Sequence, residues 1–187
     1  MVLKANMLTP DPIDYLKQAE LIHSEQAVAK AISLVAAKLN QDYANKQPVV
    51  LCVMTGAVFF TGQLLPKLLF PLTFNYIHAT RYHGELSGNI IKWIVKPTDE
   101  VAGREVLILD DILDEGITLK AIVDACYLLG AKDVKTAVLA NKIINNSKPI
   151  TADYVELTLP DRYVFGCGMD VNYWWRNLPA IYALHNS

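Results

Sequence analysis

One segment near the middle of the chain constrains its fold and chemistry more than any other. Four consecutive apolar residues, Val106–Leu109, are typical of a buried β-strand. Two acids, Asp110 and Asp111, follow directly, and then comes a turn that contains Gly116 and Thr118. Because this order leaves carboxylates and a glycine turn at the end of a buried strand, it predicts a ligand site there.

The residues after this turn have the spacing of an amphipathic helix. The N–H groups at the start of such a helix can bind a phosphate, and adjacent carboxylates can accept hydrogen bonds from two vicinal hydroxyls. Ribose 5-phosphate fits this order of groups. The alternative is that the two acids merely end a strand and the threonine caps a helix. The apolar positions of the helix are Leu119, Ile122, Val123, Cys126 and Leu129.

Strand-like and helical segments alternate along the rest of the chain. Two helical segments are predicted first, the second with Ser24 as its N-cap, and a helix to Leu69 follows the first buried strand. This alternation predicts an α/β fold with a doubly wound, mostly parallel sheet flanked by helices. The other predicted strands are Pro48–Met54, Leu72–Ala79, Ile90–Val95, Asp133–Ala140 and Tyr154–Leu159.

Three other strand ends should converge on the edge of the sheet that carries the paired acids. Thr55 and Gly56 form a small turn whose amides could bind an anion such as pyrophosphate, although an ordinary βα turn has the same pattern. Lys142 could donate to a ligand carbonyl or lie in solvent. Tyr163 could stack on a planar base or belong to the core.

The polar segment Arg81–Asn89 separates two predicted strands, with Gly84 and Gly88 as flexible points. It is either an ordinary hairpin loop or a flap over an active site.

Together these segments resemble the hypoxanthine-guanine phosphoribosyltransferases, a group of type I phosphoribosyltransferases. The resemblance extends over Pro48–Leu178 and is strongest at the acidic strand end, at Lys142, and from Pro160–Val164 to Asp170 and Arg176. It implies a purine-salvage enzyme that transfers the 5-phosphoribosyl group from phosphoribosyl pyrophosphate to hypoxanthine or guanine. The products would be IMP or GMP and pyrophosphate.

The resemblance also implies roles for individual residues in catalysis. Asp110 and Asp111 would hold the ribose hydroxyls and, with Asp170, a Mg²⁺ ion. Asp114 would be the catalytic base that takes the purine imidazole proton. The 5-phosphate would lie at Asp114, Glu115, Gly116, Ile117 and Thr118, called the phosphate turn below.

Base and pyrophosphate contacts follow from the same resemblance. Lys142 would bind the purine 6-oxo group, Tyr163 would stack on the base, and the Val164 backbone would contact its far edge. The turn after Met54 matches a pyrophosphate loop that often contains a cis non-prolyl peptide. Pyrophosphate is expected at Thr55, Gly56 and Arg176. Arg81 and Tyr82 are expected to be the flap residues of the site.

Three positions depart from the family pattern. Glu115 stands where the phosphate loop usually has a small hydroxyl residue, and Thr55 replaces a frequent lysine or arginine. Arg81 and Tyr82 stand where a Ser-Tyr pair is usual. Arg81 or Arg176 would then supply the positive charge for pyrophosphate.

The length of the chain agrees with a single domain. The 187 residues fit a single phosphoribosyltransferase domain. Its core is expected at about residues 40–150, its small hood at about residues 1–20 and 155–187, and its mobile flap at about residues 80–91.

Charge and hydropathy exclude several classes of protein. The formal net charge is −2, and nucleic-acid binding would favour a basic stripe. Apolar runs fall far short of the roughly 18 residues of a membrane span, and no signal-peptide pattern is present, so a cytoplasmic protein is expected. The three cysteines lack metal-ligand spacing, and Mg²⁺ is the expected cofactor.

Small-molecule substrates are the expected partners, and the resemblance implies a homodimer or homotetramer. A xanthine- or guanine-preferring transferase and a non-catalytic regulatory homologue remain as alternatives.

Overall fold

A computed structural model describes residues 11–84 and 87–185 of the chain, without the side chains of residues 81–90. The helices are α1 (Pro12–Lys17), α2 (Glu25–Asp42), α3 (Val58–Leu64) and α4 (Ile117–Leu128), with 3₁₀ turns at Leu65–Lys67 and Asp99–Val101. The strands are β1 (Ala19–His23), β2 (Val49–Val53), β3 (Thr73–Gly84), β4 (Ser87–Val95), β5 (Glu105–Leu113), β6 (Asp133–Lys142), β7 (Leu157–Leu159), β8 (Val164–Phe165) and β9 (Ile181–Leu184).

Six of these strands form the central sheet, in the order β4-β3-β2-β5-β6-β7. All neighbouring strands in it are parallel except β3 and β4, which form an antiparallel ribbon. Every residue of β2 is buried, as expected for a strand covered on both faces. The sheet confirms the predicted doubly wound α/β fold.

Helices cover both faces of this sheet. Each helix has its apolar residues along one side, and that side packs against the sheet. Helix α2 begins at the predicted cap, where Ser24 Oγ accepts a hydrogen bond of 3.3 Å from the Ala27 amide. Helix α2 buries Val28, Ile32, Val35, Ala36 and Leu39 against one face of the sheet. Helix α4 buries the predicted positions Leu119, Ile122, Val123 and Cys126 against the other face.

A second, three-stranded sheet in the order β1-β9-β8 joins the two ends of the described chain. Ala19 of β1 is in register with Leu184 of β9. The two predicted N-terminal helices are present as α1 and α2, but the prediction missed β1, which lies between them. Strand β1 depends on pairing with a segment near the other end of the chain, which local sequence patterns do not reveal.

Several predicted boundaries also differ from the structure, and β7 begins at Leu157 rather than at the predicted Tyr154. Strand β5 does not end at the acids but continues to Leu113, because its pairing with β6 extends to Asn141. Helix α3 ends before Leu69, and a 3₁₀ turn that contains Pro66 follows, since proline has no N–H to continue an α-helix. Strands β3 and β4 extend into the predicted loop Arg81–Asn89, whose residues 85 and 86 lie outside the described residues.

None of the helices within the described ranges has the length and apolar content needed to cross a membrane.

Gly166, between β8 and the following turn, offers a test of how tightly the small sheet is packed. Its φ is +96°, and a Cβ there would lie 2.1 Å from the Ala180 carbonyl oxygen. Gly166→Ala should lower the free energy of unfolding by about 2–4 kcal/mol, because backbone strain adds to the displacement of a backbone atom. Urea unfolding at equilibrium would measure this change.

Gly62 on α3 is the matched control, because a Cβ there meets nothing within 4 Å. Gly62→Ala should raise the free energy of unfolding by about 0.5–1 kcal/mol, since alanine favours a helix over glycine. Equal unfolding midpoints for the two variants would contradict this description of the packing.

Candidate active site

The predicted site residues gather at the carboxyl ends of the parallel strands, around two cavities. The larger cavity, of about 520 Å³, is lined by the ends of β2 and β5, by the middle of β3, by the phosphate turn and by Arg176. The smaller cavity, of about 270 Å³, lies toward β6 and the segment before β8. The two adjoin, because Asp111, Ile112, Asp114 and Arg176 line both of them.

Asp110 and Asp111 lie at the floor of the larger cavity and are each only 9% exposed. Asp110 Oδ1 accepts a hydrogen bond of 3.0 Å from the Asp111 amide, and Asp111 Oδ1 accepts one of 2.9 Å from the Ile112 amide. Burial raises the pKa of both carboxyl groups, and the neighbouring charge of Asp111 raises the pKa of Asp110 further. A ligand that supplies hydroxyl donors or a cation would relieve this burial of like charges.

The turn after β2 packs directly against the acids. The Met54–Thr55 peptide bond is cis, as the family resemblance implied. A Cβ at Gly56 would lie 2.1 Å from Asp111 Oδ2, and a Cβ at Gly168 would lie 1.9 Å from the Gly56 carbonyl oxygen. Since no side chain fits at either glycine, the pyrophosphate-type turn, the acid pair and the segment after β8 are in direct contact.

The phosphate turn connects β5 to the start of α4 and lines the larger cavity. Among the described contacts, no side chain caps the N-terminus of α4, so its first amides face the turn. Glu115 is exposed, as expected for a side chain turned toward solvent. Thr118 is half-buried, and its hydroxyl adds a donor to this part of the wall.

Lys142 and Asp114 form an ion pair of 3.2 Å at the edge of the smaller cavity. The Lys142 side chain is 14% exposed, whereas that of Asp114 is 48% exposed. Tyr163, which is 45% exposed, and buried Val164 line the same cavity. The cavity thus presents a cation, an acid and an aromatic ring to one ligand.

Arg176 is fixed at the junction of the two cavities by its own contacts. Its guanidinium pairs with the Asp170 carboxylate, and Nη1 donates a 2.6 Å hydrogen bond to the Gly168 carbonyl. Asp170 Oδ2 also accepts a 2.8 Å hydrogen bond from the Tyr173 amide. This network brings both predicted residues, Asp170 and Arg176, to the site.

The predicted flap residues Arg81 and Tyr82 belong to the β3–β4 ribbon, but their side chains lie outside the described part of the chain. The structure also adds residues that the sequence did not single out. His78 and Thr80 of β3 line the larger cavity. Lys148 lies behind Lys142 and bonds to both strand ends there. No spacing pattern marks these three residues, because only the fold brings them to the site.

Comparison with known proteins places this geometry in a family. A model of the phosphoribosyl transferase domain matches residues 18–174. The chain belongs to the phosphoribosyl transferase family. The resemblance inferred from the acidic strand end is thereby confirmed.

Among relatives, the hypoxanthine-guanine-xanthine phosphoribosyltransferase of Tritrichomonas foetus is 32% identical over 168 residues, which cover 89% of this chain and 92% of the relative. The hypoxanthine-guanine phosphoribosyltransferase of Streptococcus pneumoniae strain R6 is 32% identical over 170 residues, 90% and 93% of the two chains. A crystal structure of a Staphylococcus aureus hypoxanthine phosphoribosyltransferase superposes with a TM-score of 0.83 at 26% identity, over 96% of both chains.

The buried acids of this phosphoribosyl transferase site should lower the stability of the ligand-free protein. In protein kept free of divalent cations, Asp110→Asn should raise the free energy of unfolding at neutral pH by about 0.5–2 kcal/mol, because it removes a buried charge beside Asp111. The folded state holds the Asp110 proton more tightly than the unfolded state, so the parent loses stability as pH rises above the ordinary carboxyl pKa of about 4.

The gain should therefore disappear below that pH, and thermal unfolding across the pH range would measure it. Asp124 is the control, because it pairs on the surface with Lys120 at 2.6 Å. Asp124→Asn should change the free energy of unfolding by less than about 0.5 kcal/mol at any pH. A neutral-pH loss of stability in Asp110→Asn would show that the acid pair stabilises the fold.

Proposed function

We propose that this phosphoribosyl transferase makes IMP or GMP and pyrophosphate from phosphoribosyl pyrophosphate and hypoxanthine or guanine. The activity is a step of purine salvage. The observation that carries the proposal is the Lys142–Asp114 pair beside Tyr163 and Val164, next to a cavity with the acid pair and the phosphate turn. The names of the relatives described above support the same activity.

The Lys142–Asp114 pair fits one edge of a 6-oxopurine. A lysine ammonium only donates hydrogen bonds, and the 6-oxo oxygen only accepts them. A carboxylate only accepts, and it can therefore face an N7–H of the free base. Adenine carries an amino group at position 6, which would place two donors face to face. The pair thus selects for 6-oxopurines.

The proposed reaction replaces a C–O bond at the anomeric carbon with a C–N bond. As the bond to pyrophosphate breaks, the sugar ring gains oxocarbenium character, and the electron pair leaves with the pyrophosphate oxygen. The purine N9 then attacks the anomeric carbon while the N7 proton passes to the Asp114 carboxylate. Asp110 and Asp111 hold the ribose hydroxyls, and the phosphate turn fixes the 5-phosphate.

A Mg²⁺ ion suits the acids of this site. Among the side chains that the structure describes, no three His, Cys, Asp or Glu residues form a metal cage. Magnesium, however, commonly binds through one or two carboxylates together with substrate phosphates and water. Asp110, Asp111 and Asp170 would hold it only together with substrate oxygens and water, and the ion would neutralise charge on the departing pyrophosphate. Because Thr55 carries no charge, Arg176 would supply the protein cation there.

We further propose that the chain forms a single domain with the hood and flap expected from its sequence, and that it assembles as a homodimer or homotetramer. Phe74 and Tyr76 of β3 are 50% and 47% exposed, and Ile94 of β4 is 55% exposed. Exposed apolar residues on one ribbon support an interface between copies. Light scattering would test the assembly, and a monomer at micromolar concentration would contradict it.

The proposed activity is tested by incubating the protein with phosphoribosyl pyrophosphate, magnesium and one base at a time, and by following nucleotide formation. Hypoxanthine and guanine should react, and adenine and uracil should not. Xanthine is included because the Tritrichomonas foetus relative is named for it. Reaction with xanthine alone, or with none of the oxopurines, would overturn the proposal.

Asp114 should act in proton transfer. Asp114→Asn should lower kcat with hypoxanthine by roughly 10²–10⁴, the usual effect of removing a positioned general base. Steady-state kinetics would measure kcat, and calorimetry should give a Kd for phosphoribosyl pyrophosphate close to that of the parent. An unchanged kcat would assign Asp114 to the structure of the phosphate turn instead.

Lys142 should determine affinity for the base. Lys142→Met should raise the KM of hypoxanthine and guanine about 10–100-fold, or roughly 1.4–2.8 kcal/mol, because the 6-oxo group loses its donor. The KM of phosphoribosyl pyrophosphate should change little. Lys135→Met is the control, since Lys135 lies on the same strand and pairs with Asp153 at 3.0 Å. A rise confined to the KM of phosphoribosyl pyrophosphate would contradict the assignment.

A further inference from the structure

Lys148 makes three hydrogen bonds behind the proposed base site. Its ammonium donates to the Leu113 carbonyl at 2.6 Å, to Asn141 Oδ1 at 2.8 Å and to the Lys142 carbonyl at 2.5 Å. A lysine ammonium has three N–H donors, so this group has no donor left for a ligand. Lys148 therefore serves the protein rather than the substrate directly.

The acceptors of Lys148 lie at the ends of β5 and β6, the two strands that lead to Asp114 and Lys142. Leu113 is the last residue of β5 and directly precedes Asp114, and Lys142 is the last residue of β6. Pairing between β5 and β6 ends at Leu113 and Asn141. Lys148 thus bridges the strands at the point where their own backbone hydrogen bonds stop.

At the same two strand ends, the Lys142 ammonium and the Asp114 carboxylate are in contact at 3.2 Å. The two side chains thus depend on two backbone positions that a single, partly buried cation holds together. Burial lowers the pKa of the Lys148 ammonium, so its three acceptors must offset the cost of removing that charge from water.

The residues that follow Lys148 contact the phosphate turn. A Cβ at Gly116 would lie 3.1 Å from Ile150 Cγ2 and 3.5 Å from Pro149 Cδ. Pro149 and Ile150 therefore contact the turn, whereas Lys148 itself contacts the strand ends. Among these three residues, only Lys148 has hydrogen bonds to the residues next to the base cavity among the described contacts.

We propose that Lys148 is a positioning residue for base recognition, which holds the ends of β5 and β6 so that Asp114 and Lys142 stay in register with a 6-oxopurine. This inference rests on the proposed function. A small displacement of one strand end would separate the donor from the acceptor, because strongly directional contacts tolerate little misplacement.

Lys148→Met tests this role, because methionine keeps an unbranched apolar chain and removes all three donors. The KM of hypoxanthine and guanine should rise at least about tenfold, while the KM of phosphoribosyl pyrophosphate stays within about threefold of the parent. Loss of folded protein alone would lower the apparent kcat and leave both KM values unchanged. The split between the KM values therefore separates positioning from general stability.

Lys148→Arg gives a second measurement if Lys148→Met does not fold. Arginine keeps the charge, but its planar donors cannot point at three converging acceptors as an ammonium does. It should raise the KM of the base by a smaller factor, again without a matching change for phosphoribosyl pyrophosphate. Lys38→Met is the matched control, since Lys38 forms one 2.5 Å contact with Glu156 on the surface. Both of its KM values should match the parent.

Equal rises in both KM values, or an unchanged base KM in folded Lys148→Met and Lys148→Arg, would overturn the inference. Calorimetric titration with GMP and with phosphoribosyl pyrophosphate repeats the comparison without turnover, and Lys148→Met should lose affinity for GMP selectively. Failure of the parent to accept any oxopurine would instead reject the proposed function. The two failures are therefore distinguishable.

Discussion

The architecture of the site depends on the burial of two adjacent acids at the carboxyl end of β5. Asp110 and Asp111 are almost fully covered, and the surrounding protein raises the pKa of both. Their burial results from backbone contact, since Gly56 packs on the Asp111 carboxylate and Gly168 packs on Gly56. The ligand-free fold therefore carries an electrostatic cost that a sugar with two hydroxyls and a cation can relieve.

The parallel sheet also determines where the other groups around the acids lie. The ends of neighbouring strands meet at one edge, so the β2 turn, the phosphate turn and the end of β6 all face the two cavities. The small sheet then adds Tyr163 and Val164 from the other side. A phosphoribosyl ligand that spans both cavities would have its anomeric carbon near their junction, close to Asp111, Asp114 and Arg176.

Much of this arrangement could be predicted from the sequence, because local patterns carry it. Continuous apolar runs revealed β2, β5 and β6, and helical spacing revealed α2 and α4. The strand ends then located Asp110, Asp111 and Lys142 at one edge. Features that depend on distant pairing could not be predicted, including β1, the full length of the β3–β4 ribbon and the contact between Lys142 and Asp114.

Lys148 is the clearest example of a site residue that the sequence could not predict. Its neighbours Asn145–Ser147 are polar and have no periodicity, so the sequence alone favours an exposed loop lysine. Its three hydrogen bonds form because the folded loop lies next to the ends of β5 and β6, which local sequence patterns do not indicate. His78 and Thr80 were missed for a similar reason, since they occur within an ordinary strand pattern.

The pairing of β1 with β9 connects the ends of the described chain. Closing so long a loop costs conformational entropy, so we expect the small sheet to form after the central sheet. The phosphate turn and the acid pair belong to that central sheet, whereas Tyr163 and Val164 are held by the small one. The two parts of the candidate ligand site therefore belong to two different sheets. With the ligand bound as proposed, partial opening of the small sheet would release the base and leave the contacts of the sugar phosphate in place.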